Sequence, residues 1–181
     1  MTKKEQRALA LSSRRAMSGE ARKAASAAIC ARLLTLPQVQ AAHTVLSYMA
    51  LPDEVDLTAL HETLRARGLR LCFPVSLPRG VMEAYEPRSF VSGPYGIREP
   101  DRETSLPVPP EEIDLVLAPC VAFDEERKRL GHGAGYYDRF LPRCTKADVI
   151  AVAFETQKLP AVITDAHDRP MDAVVTETKV Y

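Results

Sequence analysis

The sequence has no excess of charge of either sign: Lys and Arg together number 24, Asp and Glu 24, and the formal net charge is zero. A neutral total removes the general electrostatic attraction that nucleic-acid and membrane-surface binders rely on, so any anionic ligand must be met by a few placed cations. No window is apolar for the length a membrane span requires, and the opening MTKKEQRALALSSRRAM has neither the apolar core nor the small-residue cleavage site of a secretory signal. Cysteine is sparse. Cys30, Cys72, Cys120 and Cys144 form no CxxC pair and no zinc-type quartet, and Cys72 and Cys120 lie in apolar, strand-like runs where a free thiol acts as a small hydrophobe. Repeats and low-complexity tracts are missing as well. These absences predict a cytoplasmic protein with reduced thiols and with neither membrane nor nucleic acid among its partners.

What is present is 181 residues, 46% hydrophobic and 27% charged. That length predicts one domain, residues 1–181, burying roughly 70% of the surface of its unfolded chain. The first third reads as helix, KKEQRALALSSRRAM and GEARKAASAAICARLLTL, with Ser18 the N-cap between the two and Ala25, Ala28, Ile29 and Leu33 the inward stripe of the second. Residues 1–36 are thus expected to pack as a helical pair on the remainder. Beyond Pro37 the pattern changes to short apolar runs at 43–50, 69–76, 81–87, 113–124, 149–155 and 173–181, which read as strands. The runs at 113–124 and 149–155 are nearly continuous in apolar residues, as strands covered on both faces should be. Leu57, Leu60 and Leu64 mark a helix closed by Gly68, a second helix starts around YYDRFLPR, and 92–112 reads as a long loop. Strand and helix in alternation predict an α/β fold, a three-layer Rossmann-like arrangement with a mainly parallel sheet and flanking helices.

The stretch RLGHGAGYYDRF, residues 129–140, concentrates the special chemistry. Gly131, Gly133 and Gly135 follow a buried strand and open a helix, a setting that exposes backbone N–H groups to an anion. The spacing is neither that of a dinucleotide fingerprint nor that of a Walker A loop. A phosphate cradle and a turn that needs glycine for positive φ stand level on the motif alone. Arg127, Lys128 and Arg129 add charge for phosphate oxygens, and Asp138, with Asp172 near the C-terminus, supplies the one or two carboxylates that Mg²⁺ usually takes from a protein. Read singly, the basic run and Asp168 are ordinary solvated and turn residues.

Together, VAFDEERKRLGHGAGYYDRFL, AVAFETQKLP and HDRPMDAVVTE closely resemble the 5-formyltetrahydrofolate cyclo-ligase family. The N-terminal KKEQRALALSSRR, YMALPDEVDLTAL and GIREP extend the likeness nearly end to end. The resemblance implies ATP- and Mg²⁺-dependent closure of 5-formyltetrahydrofolate to 5,10-methenyltetrahydrofolate by a protein acting as a monomer, with ADP and phosphate released. It implies ATP contacts from Lys3, Lys4, Arg7, Arg129, Leu130, Gly131, His132, Gly133, Ala134, Gly135, Tyr136 and Tyr137. Folate contacts are implied for Met49, Glu54, His132, Gly133, Ala134, Gly135 and Tyr136, metal ligands for Asp138 and Asp172, and catalytic roles for Arg129 and Tyr136. Cys120, Ala134 and Ala153 depart from the family, which favours glycine at 120 and 153 and Gly or Lys at 134. A folate- or nucleotide-binding protein without turnover is the alternative these departures raise; sugar-phosphate isomerases and CoA transferases share the architecture, but no motif of theirs is present.

Overall fold

The structure is a computed structural model describing residues 1–165, 168 and 170–181; Ala166, and His167 and Arg169 of the block HDRPMDAVVTE, lie outside the described residues. Helix α1 (Lys3–Ala16) starts in a capping box, Thr2 Oγ1 accepting from the Glu5 amide while the Glu5 carboxylate accepts from the Thr2 amide. Ser18 Oγ caps α2 (Gly19–Leu33) as expected, by accepting from the Ala21 amide at 3.1 Å. The buried stripe of α2 is Ala25, Ser26, Ile29, Cys30 and Leu33; Ala28 faces solvent, one position around the helix from the expected face. With alanine on every side of this helix, composition could not orient it. A short α3 (Pro37–Ala41) leads into β1 (Thr44–Leu46), and α4 (Thr58–Ala66) follows, ended by Gly68 at φ +81°.

Strands β2 (Arg70–Leu77) and β3 (Val81–Glu86) form a hairpin, followed by β4 (Phe90–Ser92), β5 (Arg98–Pro100) and β6 (Leu106–Val108). The stretch expected to be a long loop therefore carries two short strands. Its prolines confine them to the edge: β6 closes the central sheet and β5 pairs only with β4. The apolar run at 113–124 is likewise two strands, β7 (Leu115–Pro119) and β8 (Ala122–Phe123), and β8 pairs back on β9 (Arg129–Leu130). Then come α5 (Tyr136–Phe140), β10 (Asp148–Val152) and β11 (Ala173–Val175).

Among the described residues the central sheet has the order β11-β10-β7-β1-β2-β3-β6, parallel from β11 to β2 and antiparallel beyond. The pleat sends Leu115 and Leu117 to one face, with Ile29, Leu33, Leu60 and Leu64 of α2 and α4, and sends Val116 and Ala118 to the other, with Phe140 and Cys144. This is the mainly parallel α/β sheet read from the sequence. All four cysteines are buried free thiols, and burial pushes those of Cys72 and Cys120 up to about 12. Among the described residues no helix is long and apolar enough to cross a membrane.

Helix α1 docks away from the sheet's main cores. Ala10 packs with Val121, Ala122, Leu130, Leu159 and Val162, and Gln6 bonds both ways to the 161–163 segment, donating to the Ala161 carbonyl at 2.7 Å and accepting from the Ile163 amide at 3.0 Å.

Candidate active site

Strand order reverses between β1 and β7. The chain moves from β1 to β2 on one side of the sheet and later places β7, β10 and β11 on the other. In open α/β sheets this switch point, at the carboxyl ends of the strands, leaves a crevice for ligands. The loop leaving β1 carries Met49, Asp53 and Glu54; the chain leaving β7 carries the β8–β9 hairpin and the glycine loop. Topology therefore brings together two segments about eighty residues apart.

Buried polar contacts fix the hairpin. Asp124, 2% exposed, accepts from the amides of Glu126, Lys128 and Val162, which shapes the DEERK turn around Arg127 at φ +64°. Gln157 Nε2 donates to the carbonyls of Cys120 and Val121, so the break between β7 and β8 leaves no orphaned acceptors there. The Cys120 thiol donates to the Ala122 carbonyl at 3.0 Å, turned back along its own chain.

Each glycine of the loop faces an arginine. A Cβ on Gly131 would lie 3.1 Å from Arg129 Nη1, one on Gly133 3.3 Å from Arg7 Cζ, and one on Gly135 2.8 Å from Arg139 Nη1. Gly133 and Gly135 also have φ of +102° and +72°, so both space and backbone require glycine. Arg7 Nε donates to the Gly131 carbonyl at 2.8 Å, Arg129 to the Pro119 carbonyl at 2.9 Å, and Arg139 to the carbonyls of Gly80 and Ala134. Three guanidiniums thus surround one short loop, each held by a carbonyl. Helix α5, by contrast, has five residues; Pro142 stops it, and its dipole is too short to add much. The positive charge around the loop is therefore supplied by side chains more than by a helix end.

Arg129, with its side chain 6% exposed, lies 5.3 Å from the Tyr137 ring centroid and pairs with Asp138 at 3.2 Å. Both line a cavity of about 190 Å³ with Leu141, Val149, Asp168 and Met171. Lys3 borders this region, bonding Asp165 at 2.7 Å and Asp168 at 3.1 Å. Burial pulls its pKa down, but these two carboxylates more than offset that and hold the ammonium above its usual range. Lys4 is exposed. The Leu130 side chain is buried against α1, which limits it to main-chain contacts with a ligand. Asp172 Oδ2 accepts from the Val149 amide at 2.7 Å. Tyr136 and Tyr137 pack their rings on the sheet, and the buried Tyr137 hydroxyl has no hydrogen-bond partner among the described residues, its pKa pushed up by burial.

On the β1 side, Met49 is half-buried and Glu54 is 9% exposed. Glu54 accepts from the Leu51 amide at 2.9 Å and from His132 Nε2 at 2.9 Å, and Arg14 Nη1 lies 3.6 Å away. Arg14, its side chain 2% exposed, also holds Asp53 at 3.0 Å. Burial pushes the Asp53 carboxyl up, and the Arg14 guanidinium overrides it, leaving the group below the usual carboxylate range. Arg14 and Arg139 were invisible as site residues in the sequence. Both are arginines in helices, where a solvated head is the default, and only Arg139's place four residues after Gly135 hinted at contact with the loop.

Comparison with known proteins bears on the whole of this arrangement. Residues 1–177 match the family described as the 5-formyltetrahydrofolate cyclo-ligase family. A 5-formyltetrahydrofolate cyclo-ligase of Escherichia coli K12 is 33% identical over 175 residues, spanning 93% of this chain and 96% of the relative. A probable 5-formyltetrahydrofolate cyclo-ligase of Schizosaccharomyces pombe is 31% identical over 173 residues, 86% of this chain and 85% of the relative. The solved 5,10-methenyltetrahydrofolate synthetase of Aquifex aeolicus superposes with a TM-score of 0.86 at 35% identity, covering 99% of this chain and 92% of that one. With matching sequence along nearly the full length, the same fold, and the glycine loop assembled opposite Glu54, the chain belongs to the 5-formyltetrahydrofolate cyclo-ligase family.

Proposed function

We propose that this enzyme closes 5-formyltetrahydrofolate to 5,10-methenyltetrahydrofolate with ATP and Mg²⁺ in the cytoplasm. The observation that carries the reading is the meeting of the arginine-ringed glycine loop with Glu54 across the switch point, one side suited to phosphates and the other to a flat, donor-rich ring. In the reaction the formyl oxygen attacks the γ-phosphorus of ATP and ADP leaves. N10 then attacks the activated formyl carbon, phosphate departs with the former formyl oxygen, and the N10 proton goes to solvent. Every atom is accounted for, and the protein forms no covalent bond.

Such chemistry asks for positioning and charge neutralisation. Arg7, Arg129 and Lys3 hold the phosphates over the loop amides of residues 131–135, with Lys4 at the rim. Arg129, fixed by Pro119 and Asp138, meets the charge that grows on the transferring group. Tyr136 and Met49 flank the pterin, and Glu54 accepts from its amino and ring N–H groups. The donor chemistry fits magnesium: Asp138, its side chain 61% exposed beside Arg129, and Asp172 offer hard oxygens, and Mg²⁺ needs no larger protein cage. When bound there, the ion would neutralise phosphate charge.

Of the departures that raise the binding-only alternative, Cys120 directs its thiol at the Ala122 carbonyl and away from the glycine loop, which weakens that motive, while Ala134 remains as the other. The test is a mixture of purified protein, 5-formyltetrahydrofolate, ATP and Mg²⁺. Methenyl absorbance should grow together with ADP, and binding without either product would favour the alternative.

A further inference from the structure

Glu54 is the carboxylate assigned above to the pterin, yet a ligand cannot reach it in this conformation. Its side chain is 7% exposed, and the near approach is occupied by His132, whose own side chain is 43% exposed. His132 Nε2 donates to Glu54 Oε1 at 2.9 Å, while Arg14 from α1 and the Leu51 amide hold the carboxylate from behind. Nor does the cavity beside Arg129 and Asp138 include Glu54 or His132 in its lining. His132 sits between Gly131 and Gly133; Arg7 holds the Gly131 carbonyl, and Gly133, at a φ of +102°, has no side chain to obstruct a change of backbone angle on the other side.

We propose that His132 and Glu54 form a latch between the two halves of the site, and that breaking it couples the binding of ATP to the binding of folate. The inference rests on the functional reading above. A pterin needs Glu54 and so must displace the imidazole; phosphates on the glycine loop draw His132, a ready donor, in the opposite direction. Either ligand breaks the same contact. Whichever arrives first meets the cost of opening, and the second binds a site already open, which is positive coupling without any contact between the ligands. The coupling is reciprocal: each ligand must tighten the other by the same factor. For one hydrogen bond to a buried carboxylate that factor is about 5 to 50.

Calorimetry of the intact protein with 5-formyltetrahydrofolate and a non-hydrolysable ATP analogue, alone and together, measures it. The wild type should show at least fivefold mutual tightening. In His132→Ala 5-formyltetrahydrofolate alone should bind several-fold tighter than to the wild type, the ATP analogue, which also loses the imidazole donor, should not tighten, and the mutual effect should fall toward one. Unchanged coupling in His132→Ala overturns the proposal. Hydrogen exchange of amides 131–135 in the ligand-free protein supplies a readout independent of folate chemistry: both His132→Ala and Glu54→Gln should speed exchange several-fold. No acceleration overturns the latch, even if the enzyme proves to be a cyclo-ligase. Accelerated exchange in a protein that binds neither ligand would overturn the functional reading, and with it the coupling.

Discussion

Replacing Arg14 by methionine removes a buried guanidinium that faces two acidic side chains of the β1 loop. In the wild type Arg14 contacts Asp53 at 3.0 Å and 3.3 Å and Glu54 at 3.6 Å, with side-chain exposures of 2%, 21% and 7% for Arg14, Asp53 and Glu54. Methionine keeps most of the packing volume and none of the charge. Removing one partner of a buried pair costs about 3–5 kcal/mol because the remaining charge is stranded. Asp53 is partly solvated and keeps Arg15 at 3.4 Å, while Glu54 keeps the Leu51 amide and His132, so a smaller loss of about 2–4 kcal/mol is expected. For a protein of this size each kcal/mol lowers the melting temperature by about 2–4 °C, giving a drop of about 5–15 °C by calorimetry. The triple variant Arg14→Met/Asp53→Asn/Glu54→Gln no longer strands a charge and should regain at least half of it. A drop under about 2 °C, or a triple variant no more stable than Arg14→Met, would refute the electrostatic argument.

Other substitutions probe other parts of the molecule. His61 is buried against Phe73 and bonded to Ser47 at 2.7 Å, and burial lowers its pKa to about 4. The unfolded chain, with an ordinary imidazole, binds a proton that the folded one refuses between pH 6.5 and 4, so stability is full above 6.5 and falls with pH through that window. The loss by pH 4.5 is about 2.5 kcal/mol, and urea midpoints should show it in the wild type but not in His61→Gln; equal slopes in the two would exclude the burial cause. Gly135→Ala puts a side chain at φ +72° and within 2.8 Å of Arg139, so it should cost about 1–3 kcal/mol and weaken ATP binding, read by thermal melts and titration; a neutral outcome would deny the loop its geometry. Asp138→Asn should lower turnover at least about tenfold and raise the Mg²⁺ concentration for half-maximal rate, and an unchanged Mg²⁺ dependence would remove Asp138 from the metal site.

Much of the fold was legible where local chemistry and tertiary packing agree. Ser18 caps α2, Gly68 ends α4, and the apolar run at 149–155 contains a strand buried on both faces. Legibility failed where packing decides among equals. Ala28 and Ser26 are both small enough for either face of α2, and Ser26 is the one buried, its hydroxyl accepting from the Asp56 amide ahead of α4. The run at 113–124 has charge only near its ends, at Asp114 and Asp124, and Pro119 alone marks the break at Cys120, which depends on Gln157, thirty-seven residues on, satisfying the freed carbonyls. The glycine loop announced itself together with Arg129, two residues before Gly131, and the resemblance added Arg7; Arg139, four residues past Gly135, did not stand out, because an arginine on a helix is by default a solvated one. Arg14 hid for the same reason: a buried arginine is readable only when its acids are seen, and Asp53 and Glu54 lie about forty residues away.

The most direct test of the account is a stoichiometric one. Purified enzyme is given 5-formyltetrahydrofolate, ATP and Mg²⁺, and methenyl product and ADP are followed together. The account predicts one ADP for each methenyl group formed, with both products lost when ATP or Mg²⁺ is left out. Methenyl formation without ATP, or tight binding of both ligands with no product at any pH or enzyme load, would contradict it.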